Sequence, residues 1–175
     1  DAANKRVIVS EAWRHRLVSI PVQGGMPKPV LAKLAGYPAR ITRKSSGGFI
    51  LCLFAPRNRL IEFVLQEDDY RNAMLDEIDS RYWIAPSLSA SRSFLEPLQS
   101  GSVKTMGIHK PWSPSRSYGL IVELDNNFLP VTSYHSRANG TRHGITSAIE
   151  HEGKIVATSR GGNLILRVTP ETGQA

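Results

Sequence analysis

Residues 36–60, GYPARITRKSSGGFILCLFAPRNRL, carry the strongest structural signal in the sequence. The stretch opens with a Gly-Tyr-Pro turn and runs into a short strand, and a pair of glycines at 47 and 48 then provides a second turn. A dense apolar strand follows at 49–54 and ends on Ala-Pro-Arg-Asn-Arg. This order of elements predicts a β-hairpin that belongs to a repeated unit.

The apolar strand of this hairpin has counterparts elsewhere in the chain. Three short strands, each after a polar turn, share the pattern: VIVS at 7–10, FILC at 49–52 and IVAT at 155–158. Similar strands precede the two later copies, at 40–42 and 144–146. Val7 and Phe49 lie about 42 residues apart, which is typical of a four-stranded β-propeller blade.

The repeat predicts an all-β chain of about three propeller blades, each an antiparallel sheet. The remaining strands are predicted at 14–22, 30–35, 118–124, 128–135 and 163–168. The first blade lacks a strand before residue 1, and the last lacks an outer strand after residue 170. We therefore expect a partial propeller whose open edges, at 7–10 and 163–168, are available to another chain.

An insertion over residues 57–117 interrupts the second unit. Apolar residues recur at spacings of three and four between 60 and 83, which predicts a helix within 58–82. Its apolar face is Ile61, Val64, Leu65 and Leu75, and its acidic face is Asp68, Asp69, Asp76 and Asp79. Residues 86–117 are rich in Ser, Pro and Gly and are predicted to form a long loop, either a binding element or a peripheral decoration.

Charge and composition exclude several classes of protein. Lys and Arg number 22 against 15 Asp and Glu, a net charge of +7, but there is no basic run of five and no nucleic-acid motif. We predict a basic surface and no nucleic-acid partner. No apolar run of about 18 residues occurs, so no membrane span is expected. The single cysteine, Cys52, is expected to be a buried hydrophobe.

Four segments resemble the C-terminal half of strictosidine synthase-like proteins. They are RVIVSEAWRHRLVSIPV at 6–22, LAGYPARITRKSSGGFILCLFAPRNRL at 34–60, SYGLIVELDNNFLPVTSYHS at 117–136 and HGITSAIEHEGKIVATSRGGNLILRV at 143–168. This family belongs to a superfamily of six-bladed β-propellers that includes gluconolactonases and paraoxonases. The resemblance implies that residues 1–175 are the C-terminal part of one propeller domain, about three of its six blades. Missing N-terminal blades or a second chain would complete it.

The resemblance also implies a site in the central channel, where hydrolytic members hold calcium through carboxylate and Asn side chains. After the Gly-Tyr-Pro turn, relatives carry Asp-Asn, and that Asn is a metal ligand, whereas this chain has Ala39 and Arg40. Ala has no donor oxygen, and a guanidinium would repel calcium. We expect no metal ligand and no cofactor from this half. Arg40 either holds an anionic carboxylate or phosphate or turns outward into solvent.

Two further candidates come from the last unit. In strictosidine synthase itself, the catalytic glutamate lies four residues before a Glu-His-x-Gly turn, here 150–153, so the matching position is Thr146. A hydroxyl alone is not a general base at neutral pH, so alkaloid condensation is not expected. His143 precedes an inner strand and is the candidate catalytic residue, with a structural hydrogen-bonding role as the alternative. The candidate ligand-binding set is Arg40, His143 and Thr146.

The superfamily implies a small-molecule hydrolase that acts on a lactone or an ester. The departures at Ala39, Arg40 and Thr146 weaken that expectation. The alternative is a non-catalytic propeller that binds a small anionic ligand, or a protein partner through the 57–117 insertion. A hydrolase of this superfamily should hold calcium, whereas a binding protein need not, so metal content separates the two.

Overall fold

The computed structural model describes residues 1–90 and 115–168. Within them, the strands are β1 (Arg6–Glu11), β2 (Arg16–Pro21), β3 (Lys28–Leu31), β4 (Gly36–Arg43), β5 (Phe49–Pro56), β6 (Leu120–Leu124), β7 (Pro130–His135), β8 (Ile145–His151), β9 (Lys154–Ser159) and β10 (Leu164–Val168). They form three antiparallel sheets: sheet 1 is β1-β2-β3, sheet 2 is β4-β5-β6-β7 and sheet 3 is β8-β9-β10. The predicted all-β class and the three antiparallel sheets are confirmed.

The three sheets differ in their number of strands. Sheet 2 is four-stranded, and β6 pairs with β5 although the whole insertion separates them in the chain. Among the described residues, sheet 1 has no strand equivalent to β4, and sheet 3 has none equivalent to β7. Strands β1 and β10 are therefore edges of their sheets, as predicted for 7–10 and 163–168.

Strand β5 lies at the centre of the core because both of its faces are buried. Its alternate residues point to opposite faces and join two apolar clusters, Phe49, Leu51 and Leu53 in the first, and Ile50 and Cys52 in the second. The first cluster includes Leu17 of sheet 1, and the second includes Ala148 and Ala157 of sheet 3. Sheet 2 is thus packed between the other two sheets. The burial predicted for Cys52 is confirmed.

The glycine pair before β5 makes the sharp turn that the sequence predicts. Gly47 and Gly48 have φ angles of 96° and 74°, in the left-handed region that side chains disfavour. A Cβ at Gly48 would also overlap the backbone oxygen of Leu124 in β6. The side chain of Asn126 accepts a hydrogen bond from the Gly48 amide at 3.0 Å. These contacts fix where β5 begins and therefore which residues face each neighbouring sheet.

Connections at one end of the sheets, here named the loop end, are joined by backbone hydrogen bonds. The loop end consists of segments 12–15, 32–35, 57–58, 115–119, 136–144 and 160–163. The Leu34 amide donates to the His15 carbonyl at 3.0 Å. The Gly144 amide donates to the Tyr118 carbonyl at 2.8 Å, and the Arg160 amide donates to the Gly144 carbonyl at 3.0 Å. The loops around sheets 2 and 3 are therefore one connected structure.

The opposite end, here named the turn end, carries the tight turns 44–48, 125–129 and 152–153. The carboxylate of Glu150 in β8 accepts hydrogen bonds from the hydroxyls of Ser45 and Ser46 at 2.5 and 2.8 Å, and from the Ser46 amide at 3.1 Å. These bonds lower the pKa of Glu150 to about 2, and the bond from Ser45 has the largest effect. Glu150 thus ties sheet 3 to the β4–β5 turn of sheet 2.

The insertion begins with two helices, α1 (Arg59–Gln66) and α2 (Asp68–Glu77), and not with one continuous helix. Glu67 separates them with φ −97° and ψ 85°, outside the helical region. Neither helix is long and apolar enough to cross a membrane, and the described residues contain no other candidate. Residues 91–114, most of the predicted long loop, lie outside the described residues.

The predicted apolar face of the helix is only partly correct. Ile61 and Val64 are buried, and Leu65 packs partly buried against the end of sheet 2. Leu75, however, is 45% exposed, and Met74 is buried in its place. The break at Glu67 explains the error, because a period of about 3.6 residues continues only along an unbroken helix. The predicted exposure is found for Asp68, Asp69, Asp76 and Asp79.

Helix α1 is attached to sheets 1 and 2 through Glu62. The Asn58 side chain caps the helix by accepting a hydrogen bond from the Leu60 amide at 2.9 Å. The Tyr37 hydroxyl and the Arg57 guanidinium donate to the Glu62 carboxylate, each at 2.8 Å. Nε2 of His15 lies 2.9 Å from the same carboxylate. Burial raises the pKa of Glu62, but these polar partners outweigh it and hold that pKa below its usual range.

The two-faced burial of β5 can be tested by truncation. Ile50 and Leu51 are both fully buried but contact different sheets. We expect Ile50→Ala and Leu51→Ala each to lower the free energy of unfolding by about 2–5 kcal/mol, because each leaves a cavity. Urea denaturation is the measurement, with Val131→Ala in β7, which is 68% exposed, as the control. A loss below about 1 kcal/mol in either variant contradicts the packing of that face.

The edge strands predict self-association. An edge strand presents unpaired amides and carbonyls that can pair with another chain. We expect sedimentation equilibrium to show a mass that rises with concentration. The double variant Val7→Lys, Ile165→Lys should remain monomeric, because lysine on an edge opposes strand pairing. Leu129→Lys, at a 61% exposed position in a turn, is the control. If the unsubstituted chain stays monomeric at high concentration, the prediction is wrong.

Candidate functional site

A groove with a volume of about 650 Å³ lies at the loop end, where β4 meets sheet 3. It is lined by Ala39 and Arg40 of β4, Thr146 of β8, Thr158 and Ser159 of β9, Arg160 and Asn163 of the next turn, and Leu164 and Ile165 of β10. Arg40 and Thr146, two of the three predicted site residues, therefore lie in one groove. Ala39, the other departure from the family pattern, lines it as well.

Irregular strand pairing occurs at both predicted residues. The register of β4 on β5 shifts between Pro38 and Ile41, a stretch that contains Arg40. The register of β8 on β9 shifts directly around Thr146. Such irregularities change the direction of side chains and are common beside functional sites. The two shifts account for side chains from different sheets lining one groove.

A direct bond between sheets 2 and 3 holds these strands together. The Thr42 hydroxyl of β4 donates to the Ala148 carbonyl of β8 at 2.5 Å. Thr42 lies two residues after Arg40, and Ala148 lies two residues after Thr146. The bond therefore fixes the separation of the two strands next to the groove.

The turn after β9 carries Arg160, the second arginine of the groove. Ser159 is 2% exposed, and its hydroxyl donates to the His143 carbonyl at 2.5 Å. The same oxygen accepts a hydrogen bond from the Gly162 amide at 2.9 Å. Asn163 has a φ of 53°, a conformation that Asn tolerates better than most residues. Ser159 thus fixes the turn that carries Arg160.

The electrostatics of the groove are one-sided. Arg40 and Arg160 supply two guanidinium groups, and none of the lining residues that the structure describes is an Asp or a Glu. Both arginines are exposed, and neither forms an ion pair within residues 1–90 and 115–168. The hydroxyls of Thr146 and Thr158 and the amide of Asn163 add neutral hydrogen-bonding groups. This set of side chains suits an anion.

The third predicted residue, His143, is not part of the groove lining. It is 2% exposed. Its Nε2 lies 2.8 Å from the Arg137 carbonyl, which only accepts hydrogen bonds, so Nε2 carries the proton and donates. Its Nδ1 then accepts from the Ser117 hydroxyl at 2.8 Å. Both ring nitrogens are engaged in joining loops, and the catalytic and ligand-binding roles of His143 stay predictions without a geometric argument.

Sequence reasoning missed Arg160 and Asn163. The Arg-Gly-Gly sequence at 160–162 was informative only as a turn between two predicted strands. A usable signal was present, because in an antiparallel hairpin the end of one strand lies beside the start of its partner. Ser159 pairs with Ile145, so the residues that follow β9 had to lie near Thr146.

The insertion also reaches the groove turn. A Cβ at Gly161 would overlap the backbone oxygen of Leu88, and a Cβ at Gly144 would lie 2.5 Å from the same oxygen. Glycine at these two positions therefore lets residues 84–90 pass closely over the loops of sheet 3. The backbone of the insertion therefore contacts the loops beside the groove.

The groove does not fit the calcium ion that the family resemblance implies. Calcium binds six to eight oxygen ligands and favours carboxylates. The lining offers only hydroxyl and amide oxygens beside two cations. The described residues also contain no cluster of three or more His, Cys, Asp or Glu side chains.

A second groove, with a volume of about 850 Å³, lies on the insertion. Its lining is mainly apolar: Tyr70, Ala73, Met74, Glu77, Ile78, Tyr82 and Ile84. Its described lining residues include one carboxylate and no cation, so it differs in chemistry from the groove at Arg40.

Comparisons with known proteins leave the family open. No protein-family model matches the chain, and no curated protein matches it. The resemblance to strictosidine synthase-like propellers therefore stays a prediction, and the argument for function rests on the groove.

The role of Ser159 in the groove turn leads to a stability prediction. In Ser159→Ala, the His143 carbonyl loses a hydrogen-bond donor and the Gly162 amide loses a hydrogen-bond acceptor. We expect the free energy of unfolding to fall by about 1–3 kcal/mol, the usual cost of leaving buried polar groups unpaired. Ser147→Ala in β8 is the matched control and should change it by less than about 0.5 kcal/mol. Equal effects of the two variants in urea denaturation would show that Ser159 does not hold the turn.

Proposed function

We propose that the chain belongs to a β-propeller and binds a small anionic molecule, a carboxylate or a phosphate, in the groove at Arg40 without transforming it. The observation that carries the proposal is the presence of two exposed guanidinium groups, Arg40 and Arg160, in a groove with no carboxylate among its described lining residues. A guanidinium donates two parallel hydrogen bonds to a carboxylate or phosphate. Neighbouring hydroxyls can donate to the remaining oxygens of the anion.

The propeller assignment is supported by how the sheets pack. Each sheet is a simple antiparallel meander, and the sheets are stacked face to face through the two clusters around β5. Strand β4 contacts both β1 and β8, so the first strand of sheet 2 lies next to its neighbours on both sides. Blades of a propeller are four-stranded sheets arranged around a central channel. In that arrangement the groove at Arg40 would face the channel.

A lactone or ester hydrolase is the weaker proposal. Hydrolysis needs a general base, a nucleophile or a metal-activated water near the carbonyl. Within residues 1–90 and 115–168, the groove lining supplies no carboxylate and no His, and Ser159 is committed to two structural hydrogen bonds. An arginine cannot act as a base, because it does not lose its proton in proteins.

A protein partner at the insertion is a second candidate, favoured by the apolar groove beside α2. Tyr70 and Ile78 are 49% and 45% exposed in its lining. Exposed apolar surface of this kind is a common feature of binding sites. This candidate is compatible with anion binding, since the two grooves have different linings.

Isothermal titration with inorganic phosphate and with citrate tests the proposal. We expect saturable binding that Arg40→Gln or Arg160→Gln weakens about tenfold or more, since a hydrogen bond to a charged group contributes about 1.5–3 kcal/mol. Arg14→Gln is the control, because the Arg14 side chain is 70% exposed and lies outside the groove. Binding that is absent, or unchanged in both groove variants, overturns the proposal.

The same titration with calcium separates binding from hydrolysis. We expect no sub-micromolar calcium site, because the groove lacks carboxylate ligands. A tight calcium site, together with turnover of an ester or lactone, would restore the hydrolase assignment.

A further inference from the structure

The loops that surround the groove carry only positive charge. Segments 115–119, 136–144 and 160–163 contain four arginines and no Asp or Glu: Arg116, Arg137, Arg142 and Arg160. Arg40 adds a further guanidinium from β4. The acidic residues of sheets 2 and 3 lie towards the turn end, where Glu123 pairs with Lys44 and Glu150 bonds to two serines.

These loops have fixed positions relative to the groove. His143 joins two of them, since its ring bonds to Ser117 and to the Arg137 carbonyl. The Arg160 amide bonds to the Gly144 carbonyl, which connects the third loop. A Cβ at Gly162 would lie 3.0 Å from the Thr141 oxygen, so the chain just before Arg142 packs against the groove turn. The buried His143 is thus the junction of the basic loops.

The charge exceeds what a single small anion needs. Arg137 and Arg142 are exposed and, like Arg40 and Arg160, form no ion pair within the described residues. One phosphate or carboxylate is satisfied by one or two guanidinium groups. Like charges gathered at one rim repel each other and oppose folding, unless an anion neutralises them.

We infer that the groove and its basic loops form one site for a ligand with at least two linked phosphate groups. This inference rests on the proposed function and adds the ligand class. One phosphate would occupy the groove between Arg40 and Arg160, and the next would extend towards Arg137 and Arg142. Guanidinium groups and phosphate oxygens match in geometry, and the four residues given these roles are all arginines. Inorganic pyrophosphate and a nucleoside diphosphate share this chemistry.

The test compares phosphate with pyrophosphate by isothermal titration in metal-free buffer. We expect the parent chain to bind pyrophosphate about tenfold or more tightly than phosphate, a difference of about 1.4 kcal/mol. Arg137→Gln, Arg142→Gln should bring that ratio close to one, because it weakens pyrophosphate binding more than phosphate binding. Both positions are exposed, so the double variant should fold normally, and its unfolding midpoint is compared with that of the control Arg14→Gln.

Each outcome has a separate meaning. Phosphate binding with no preference for pyrophosphate overturns the inference and leaves the proposed function standing. A preference that survives the double variant also overturns it. The absence of binding by either anion overturns the proposed function and the inference together. Titration with adenosine diphosphate distinguishes a nucleoside diphosphate from inorganic pyrophosphate. If adenosine diphosphate binds more tightly than pyrophosphate, the ligand is a nucleotide. Displacement of pyrophosphate by a single-stranded oligonucleotide at equal phosphate concentration would contradict a small ligand.

Discussion

The structure depends on the burial of strand β5 on both faces. Burial of each large side chain on this strand contributes about 1.5–3 kcal/mol, and the contributions are divided between two neighbouring sheets. A slip of one residue would exchange Phe49, Leu51 and Leu53 for Ile50 and Cys52, and both sets are apolar. Hydrophobicity alone therefore does not set the register. The glycine turn before the strand does so, together with the stacked rings of Phe49 and Phe128, whose centroids are 4.7 Å apart.

The position of the groove follows from this packing. Because sheet 2 must contact sheet 3 through Ile50 and Cys52, β4 lies beside β8 and the Thr42 hydroxyl reaches the Ala148 carbonyl. β4 and β8 belong to different sheets, so β4 pairs with β5 and β8 pairs with β9, and not with each other. The register shifts at Arg40 and Thr146 occur within these two pairings and lie beside the groove. The core thus sets the location of the site, and the irregular pairing sets its chemistry.

Much of the fold and part of the site could be predicted from the sequence, for identifiable physical reasons. Strands separated by glycine turns leave a strong local pattern, so the three antiparallel sheets and the edge positions of β1 and β10 were predictable. The break at Glu67 was missed although Asp68 and Asp69, acidic residues in the first turn of α2, are a typical signal for the start of a helix. Leu75 was consequently assigned to the wrong face. Arg40 stood out by its departure from a family pattern. Arg160 did not stand out by itself, although the pairing of Ser159 with Ile145 in the predicted hairpin places it near Thr146.

The two ends of the molecule differ in how their charges are used. At the turn end, Asp1 pairs with Arg6 at 2.7 Å and with Arg43 at 3.1 Å, and Lys44 pairs with Glu123. At the loop end, Arg57 pairs with Glu62 where helix α1 is attached. Around the groove, by contrast, Arg40, Arg137, Arg142 and Arg160 form no ion pair within the described residues. The groove arginines differ from other cations without an ion pair in the described part of the chain, such as Arg59 and Lys154, in that they lie at or beside one concave surface with no described carboxylate in its lining. Their shared location is the physical basis of the proposal that the groove binds an anion.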